Sequence, residues 1–173
     1  MAGELEVAPP LASGGVEMRR IYFIRHARAL DRALWHHVDE MRPLTEVGYR
    51  QANELARVLR RARIDRVVSS RAFRCVDTVW PLADALGAPV ERHDALFEGA
   101  TADEALKLMR RLRGRRIALC THGDVMQDVL ESLDDNGTDL DGGIRLGKGA
   151  YWVFDLDERG EIKNGIYHPA PTG

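Results

Sequence analysis

Arg25 and His26 stand side by side directly after four apolar, strand-forming residues, Ile21 to Ile24. A buried strand that ends this way directs two cationic side chains past its C-terminal edge. In open α/β sheets that edge is where ligands bind. An arginine offers a planar fork of donors that is always charged, and a histidine can attack or shuttle a proton. The guest that suits such a pair is a phosphate. The pattern returns downstream, where the apolar run Ile117 to Thr121 ends in His122-Gly123. Two strand-terminal histidines far apart in sequence can meet if their strands are neighbours. Arg74 and Glu98 also follow predicted strands or open the next helix, so both could reach the same edge.

Transfer of a phosphoryl group needs an in-line nucleophile, positive charge around the equatorial oxygens and a proton for the leaving group. His26 could be the nucleophile, with its second ring nitrogen held by a backbone carbonyl. Arg25 and Arg74 could bind the phosphoryl oxygens in charge-assisted pairs. His122 could be a further donor and Glu98 the general acid, with burial and anionic neighbours favouring its protonated form. No metal or cofactor is required by this scheme. Arg28, Arg32 and Arg42 lie in or beside the segment after His26, where they could bind a second phosphate or a nucleotide, or be ordinary solvated charge. Arg71 and Lys148 are further cations that could reach substrate. Trp35 could stack on a base or anchor its loop.

Regular elements must position these groups. The pattern predicts a strand over 20–25, then an irregular stretch over 27–44. A helix follows from the N-cap Thr45 to about Ala62. A strand over 64–69 leads to a helix over 72–86, stopped by Gly87 and Pro89. A short strand near Val90 precedes the segment Leu96-Phe97-Glu98-Gly99. A helix over 102–113 follows, capped by Thr101, with Asp103 and Glu104 in its first turn. Next come a strand over 116–121, a helix over 124–133 and a polar loop over 134–147. A hairpin over 150–156 and 161–167 closes the pattern. Strands alternating with helices predict a three-layer α/β/α sandwich whose sheet is mixed and largely parallel.

The chain has 173 residues, enough for one domain with a sizeable core. We expect a disordered leader over 1–18, rich in Ala, Pro, Gly and Glu, and a single domain over 19–170. The leader lacks the pattern of a secretory signal. With 25 Lys+Arg against 27 Asp+Glu the net charge is −2, which speaks against binding a nucleic-acid polymer or a membrane surface. No apolar stretch approaches the roughly 18 residues needed to span a bilayer. Cys75 and Cys120 read as buried small hydrophobes rather than a disulfide framework. The setting expected is cytoplasmic.

The motifs resemble those of the histidine phosphatase superfamily, the phosphoglycerate-mutase-like family. Its strand-Arg-His-Gly signature reads Arg25-His26-Ala27 here. Ser-Ser-x-x-x-Arg-x-x-x-Thr is matched by Ser69 to Thr78, Leu-Thr-x-x-Gly by Leu44 to Gly48, His-Gly by His122-Gly123, and Leu-x-Glu by Leu96 to Glu98. The resemblance runs from about Arg20 to Tyr167. It implies a metal-independent, histidine-type acid phosphatase or phosphohydrolase acting through a phosphohistidine on His26. The substrate would be a phosphorylated small molecule or a phosphohistidine protein. The short chain is similar to the small bacterial phosphohistidine phosphatases. Lys148 to Val153 is similar to the phosphatase domain that follows a Nudix domain in some nucleotide-sanitising enzymes, and a standalone phosphatase is expected here. Ala27 departs from the family glycine, and Arg71 stands where the family often has Pro, as a possible third cation near the pocket. The rival class is a silent module that binds a phosphorylated ligand, which loss of either histidine would have favoured. The near P-loop over 142–149 lacks its terminal Ser/Thr and precedes a strand, and His36-His37 lacks further ligands for a metal.

Overall fold

The computed structural model describes residues 18–172; the expected leader lies, but for Met18, outside them. Seven strands form one sheet. They are β1 (Arg19–Arg25), β2 (Arg66–Ser69), β3 (Val90–Arg92), β4 (Arg116–Thr121), β5 (Asp139–Leu140), β6 (Tyr151–Leu156) and β7 (Ile162–His168). Their order across the sheet is β3-β2-β4-β1-β6-β7-β5. β3, β2, β4 and β1 run parallel, while β6 lies antiparallel to both β1 and β7. The mixed α/β sandwich predicted from the sequence is the fold observed.

Period-two alternation explains the two faces. In β1, Ile21 and Phe23 pack with Ile117 and Leu119 of β4 beneath helices α3 (Ala102–Arg111) and α4 (Gly123–Asp135). Tyr22 and Ile24 point the other way, with Ala118 and Cys120, against α1 (Glu46–Leu59) and α2 (Phe73–Leu86). A strand covered on both faces must be apolar throughout, which is why Ile21 to Ile24 read as an unbroken run.

The parallel register of β1 and β4 pairs Arg25 with Thr121, so His26 and His122 follow at adjacent strand ends. His26 N–H donates to Thr121 O at 3.0 Å and fixes that alignment. Most element bounds fall within two residues of the expectation, and the following differences have a local cause or add an element. The first helix gives way after Leu59 to a 3₁₀ turn over Arg60–Ala62, beyond which Arg63 is left-handed. β2 begins at Arg66 rather than residue 64. α3 ends at Arg111 because Leu112 is extended. The segment expected as loop over 134–147 contains β5, which pairs with β7. The segment 27–44 carries two 3₁₀ turns, over Arg32–Leu34 and Asp39–Met41, and closes on itself through an Ala29–Leu44 bridge.

Candidate active site

At the C-terminal edge of β1 and β4 lies a cavity of about 760 Å³, bordered by Arg25, His26, Arg74, Glu98 and His122. His26 is 8% exposed, and its ring centroid is 5.6 Å from that of His122. His26 Nδ1 lies 2.8 Å from Ala27 O. A carbonyl can only accept, so Nδ1 carries the proton and Nε2 keeps its lone pair. Burial, together with the charges of His122, Arg74 and Arg25, pulls the His26 pKa down to about 3, against the Ala27 bond. The imidazole is therefore neutral and nucleophilic at any ordinary pH.

This depression has a stability consequence. Between pH 6.5 and about 3 the unfolded chain binds a proton on His26 that the native one does not. Native stability therefore falls with pH through that window, by a few kcal/mol at its acid end (~1.4 kcal/mol per pKa unit). His26→Gln removes this penalty. The drop in Tm between pH 7.5 and 4.5 should be smaller in the variant than in the wild type; equal drops would refute the assignment.

Each letter of the Ser-Ser…Arg…Thr block has a contact to account for it. Ser69 Oγ donates to Ser70 O at 2.8 Å. Ser70 Oγ lies 2.7 Å from His122 Nε2. On its other side, His122 Nδ1 accepts from Arg74 Nη2 at 3.4 Å. An arginine only donates, so Nε2 holds the ring proton and gives it to Ser70. Thr78 Oγ1 accepts from Ala27 N–H at 2.9 Å and donates to Arg74 O at 2.6 Å, joining the turn after His26 to α2. Ala27 is wholly buried, and Arg63 alone among the described non-glycine residues has a positive φ. Alanine thus fits where the family usually has glycine.

Two motif glycines allow close approaches, Gly123 to a side chain and Gly48 to backbone. A Cβ on Gly123 would fall 2.8 Å from the Arg25 guanidinium carbon, so the His-Gly pair lets Arg25 lie across the start of α4. A Cβ on Gly48 would fall 2.1 Å from Arg28 O, the carbonyl that also accepts from Thr45 N–H at 2.9 Å. The Leu-Thr-x-x-Gly motif therefore docks the segment after His26 onto the first turn of α1.

Arg25 donates through Nη1 to Leu146 O, and burial pulls its pKa below the usual value. Arg74 is 1% exposed and donates to Asp39 O at 3.0 Å. Arg74 Nη2 also lies 3.2 Å from each of two carboxylates, Asp39 and Glu98. Both Arg25 Nε and Arg74 Nε are buried with no hydrogen-bond partner. A buried unpaired donor on a guanidinium is costly unless an acceptor arrives. Glu98 reaches Arg32 as well, at 3.2 Å. Phe97 meets His122 edge-on at 5.8 Å.

The secondary cations divide. Arg28 and Lys148 border the cavity. Arg42 borders it too, but its guanidinium is held by Asp39 at 2.9 Å and Leu30 O at 2.7 Å. Arg71, expected near the pocket, does not border it. It pairs with Asp94 at 2.6 Å and Glu40 at 3.2 Å and covers Phe97 at 3.6 Å, because it precedes α2 and points to the outer side of that ring. Trp35 anchors its own loop by donating to Val38 O at 2.9 Å.

Sequence reasoning missed Asp39, which faces Arg42, Arg74 and Arg32 together. Burial acts against it, yet these three arginines hold its carboxyl below the usual range. Cys75 also has more to it than a small hydrophobe, with Sγ 3.5 Å from His122 Nε2. Burial pushes the Cys120 thiol up. Among the described residues no group of three or more His, Cys, Asp or Glu gathers to hold a metal ion, and no helix is long and apolar enough to cross a membrane.

Comparison with known proteins adds the family context. The family model described as histidine phosphatase superfamily (branch 1) matches residues 21–104. A curated relative, the 8-oxo-(d)GTP phosphatase of Mycolicibacterium smegmatis, is 27% identical over 161 residues, or 90% of this chain and 50% of its own. The chain thus spans about half the length of that relative. A solved structure assigned as a phosphohistidine phosphatase, SixA of Agrobacterium tumefaciens, superposes with a TM-score of 0.64 at 25% identity, over 80% of this chain and 92% of the other. A protein histidine phosphatase SixA solved with tungstate shares the fold, with a TM-score of 0.65 at 21% identity over 86% of this chain and 94% of its own.

Proposed function

We propose that the chain is a member of the histidine phosphatase superfamily and that residues 19–170 act as one phosphatase unit working through a phosphohistidine on His26, a reading supported by the family-model match and the SixA likeness. The observation that carries this reading is the pocket itself. A neutral histidine with a free Nε2 sits among two buried arginines, each with an unpartnered Nε, and a second histidine.

Nε2 of His26 attacks phosphorus, and the N–P bond forms as the bond to the leaving atom breaks. Arg25 and Arg74 hold the equatorial oxygens. His122, anchored through Nε2–H to Ser70, accepts from Arg74 through Nδ1 and so holds that guanidinium toward the phosphoryl oxygens. Glu98, ion-paired with Arg32 and Arg74, takes a proton from the entering phosphate monoanion and passes it to the leaving atom. A water then attacks phosphorus, returns a proton to Glu98, and orthophosphate leaves as the N–P bond breaks. The guanidinium groups of Arg25 and Arg74 supply the charge that a metal supplies in other phosphatases. The substrate is a phosphomonoester or phosphoramidate, free or on a protein histidine, met in the cytoplasm. The two substrate classes named for the relatives, 8-oxo-(d)GTP and phosphohistidine, belong in the first panel to be assayed.

The test is a phosphoenzyme that is labile in acid and stable in alkali, trapped from 4-nitrophenyl phosphate, with turnover on at least one member of that panel. A chain that binds phosphate or tungstate in the cavity yet turns over nothing would instead be a binding module. Glu98→Gln checks the acid separately. Alkyl phosphates, whose leaving oxygen needs a proton, should lose roughly a hundredfold or more in kcat, and 4-nitrophenyl phosphate less than about tenfold. Equal losses on both would remove Glu98 from proton transfer.

A further inference from the structure

Arg28 and Lys148 stand apart from the other charged groups of the pocket. Arg32, Arg42 and Arg74 are each paired with Asp39, Glu98 or both. Of the acids bordering the cavity, Asp31 accepts from Ala33 N–H at 2.9 Å and Asp124 from Gly99 N–H at 2.9 Å. Among the described residues neither the Arg28 guanidinium nor the Lys148 ammonium has a hydrogen-bonded or ion-paired partner.

These two cations come from segments 120 residues apart, 28 and 148, and one side chain holds the segments together. Gln51 Oε1 accepts from Arg28 N–H at 2.9 Å, while Gln51 Nε2 donates to Lys148 O at 3.3 Å. The backbones that carry both cations are therefore a single amide group apart. The next residue, Gly149, donates its N–H to Arg25 O at 3.2 Å and His26 O at 3.1 Å, which pins the Lys148 segment to the strand end bearing the nucleophile. Gly48 leaves room for Arg28 O against α1, as described above.

We propose that Arg28 and Lys148, held in register by Gln51, form a second anion subsite, so that the preferred substrate carries a further phosphate on its leaving group. The inference rests on the phosphatase reading above and narrows its substrate class. Two unpaired cations joined across a cavity attract an anion strongly only where it can engage both at once, as a phosphate or pyrophosphate oxygen cluster can. A neutral leaving group, such as a protein imidazole or a plain aryl alcohol, would leave them idle.

The readout is a ratio, kcat/KM for a doubly phosphorylated substrate over kcat/KM for 4-nitrophenyl phosphate. It is measured with a nucleoside diphosphate in one arm and a sugar bisphosphate in another, which separates the two sources of the second phosphate. In the double variant Arg28→Gln, Lys148→Gln the ratio for the preferred arm should fall roughly 30- to 100-fold, as expected for losing two charge-assisted contacts. Arg28→Lys with Lys148→Arg should recover most of it, and Gln51→Leu should lower it by a smaller factor. The wild-type ratio should also fall with added salt. A ratio unmoved within threefold in both arms overturns the subsite. Calorimetric binding of pyrophosphate against orthophosphate reads the same site without turnover. The wild type should prefer pyrophosphate and the double variant should not; no preference in the wild type overturns the proposal. A chain with no aryl phosphatase activity fails the nucleophile assignment, whereas an active chain indifferent to both cations fails this inference alone.

Discussion

His26→Ala should lose at least about ten-thousandfold in kcat on 4-nitrophenyl phosphate, the scale seen when a covalent nucleophile is removed from an intact binding site. The reason is geometric. Nε2 of His26 is the lone pair held ready by the Nδ1–H bond to Ala27 O, and burial keeps it unprotonated. The groups that would hold phosphate remain after the substitution. Arg25 is fixed by Leu146 O and the close pass over Gly123, and Arg74 by Asp39 and Glu98. Phosphate or tungstate should therefore still bind, with an affinity within about an order of magnitude of the wild type, while the acid-labile phosphoenzyme disappears. The variant should also fold well, since the lost imidazole was a desolvated group whose burial costs stability at acid pH. Retained turnover, or a phosphoenzyme trapped on the variant, would place the nucleophile elsewhere.

The parts of this site that the sequence made legible are those carried by local pattern. An apolar run ending in Arg25-His26 and another ending in His122-Gly123 announce two buried strands and their tips, and the absence of polar alternation in β1 assigns both of its faces to helices. Thr101 and Glu104 announce a helix start, and both halves of their capping box form. What escaped depends on distant groups converging. Asp39 lies in a stretch with no periodicity, and only the folded loop brings it to Arg74 across 35 positions. Gln51 reads as one polar position of an amphipathic helix, yet it ties together Arg28 and Lys148. β5 has two residues and one buried side chain, too little pattern to separate from loop. Arg71 misled because proximity to Arg74 in sequence says nothing about side: Arg74 opens α2 facing inward, whereas Arg71 precedes it and covers Phe97 from outside.

The charges around Arg74 also explain how a buried cation is tolerated before any phosphate arrives. Three guanidinium groups, Arg32, Arg42 and Arg74, share two carboxylates, Asp39 and Glu98. Three positive against two negative leaves one positive charge over, and Arg25 adds another across the cavity. The pocket is thus compensated enough to fold and still cationic enough to attract an anion.

Arg74→Lys and Arg74→Met separate those two duties. Lysine keeps the charge but not the fork, so it cannot serve Asp39, Glu98, His122 and a phosphoryl oxygen together. We expect kcat/KM on 4-nitrophenyl phosphate to fall roughly a hundred- to a thousandfold in Arg74→Lys, with Tm close to wild type. Arg74→Met should lose at least as much activity and also fold less stably, by about 3 kcal/mol, because Glu98 and Asp39 then face each other across the vacated position. Asp39 keeps Arg42 and Arg32, which holds the loss toward the low end of the range for broken buried pairs. The sign of its pH dependence follows. Asp39 has a folded pKa below the unfolded one, so its contribution is present above the unfolded value and is lost as pH falls through the folded value. Without Arg74 that depression shrinks, and the Tm deficit of Arg74→Met relative to wild type should narrow as the pH is taken from 7 toward 3. A deficit that widens on acidification would show that Arg74 stabilises the fold by something other than its carboxylates. Near wild-type kcat/KM in Arg74→Lys would take phosphate recognition away from the planar fork.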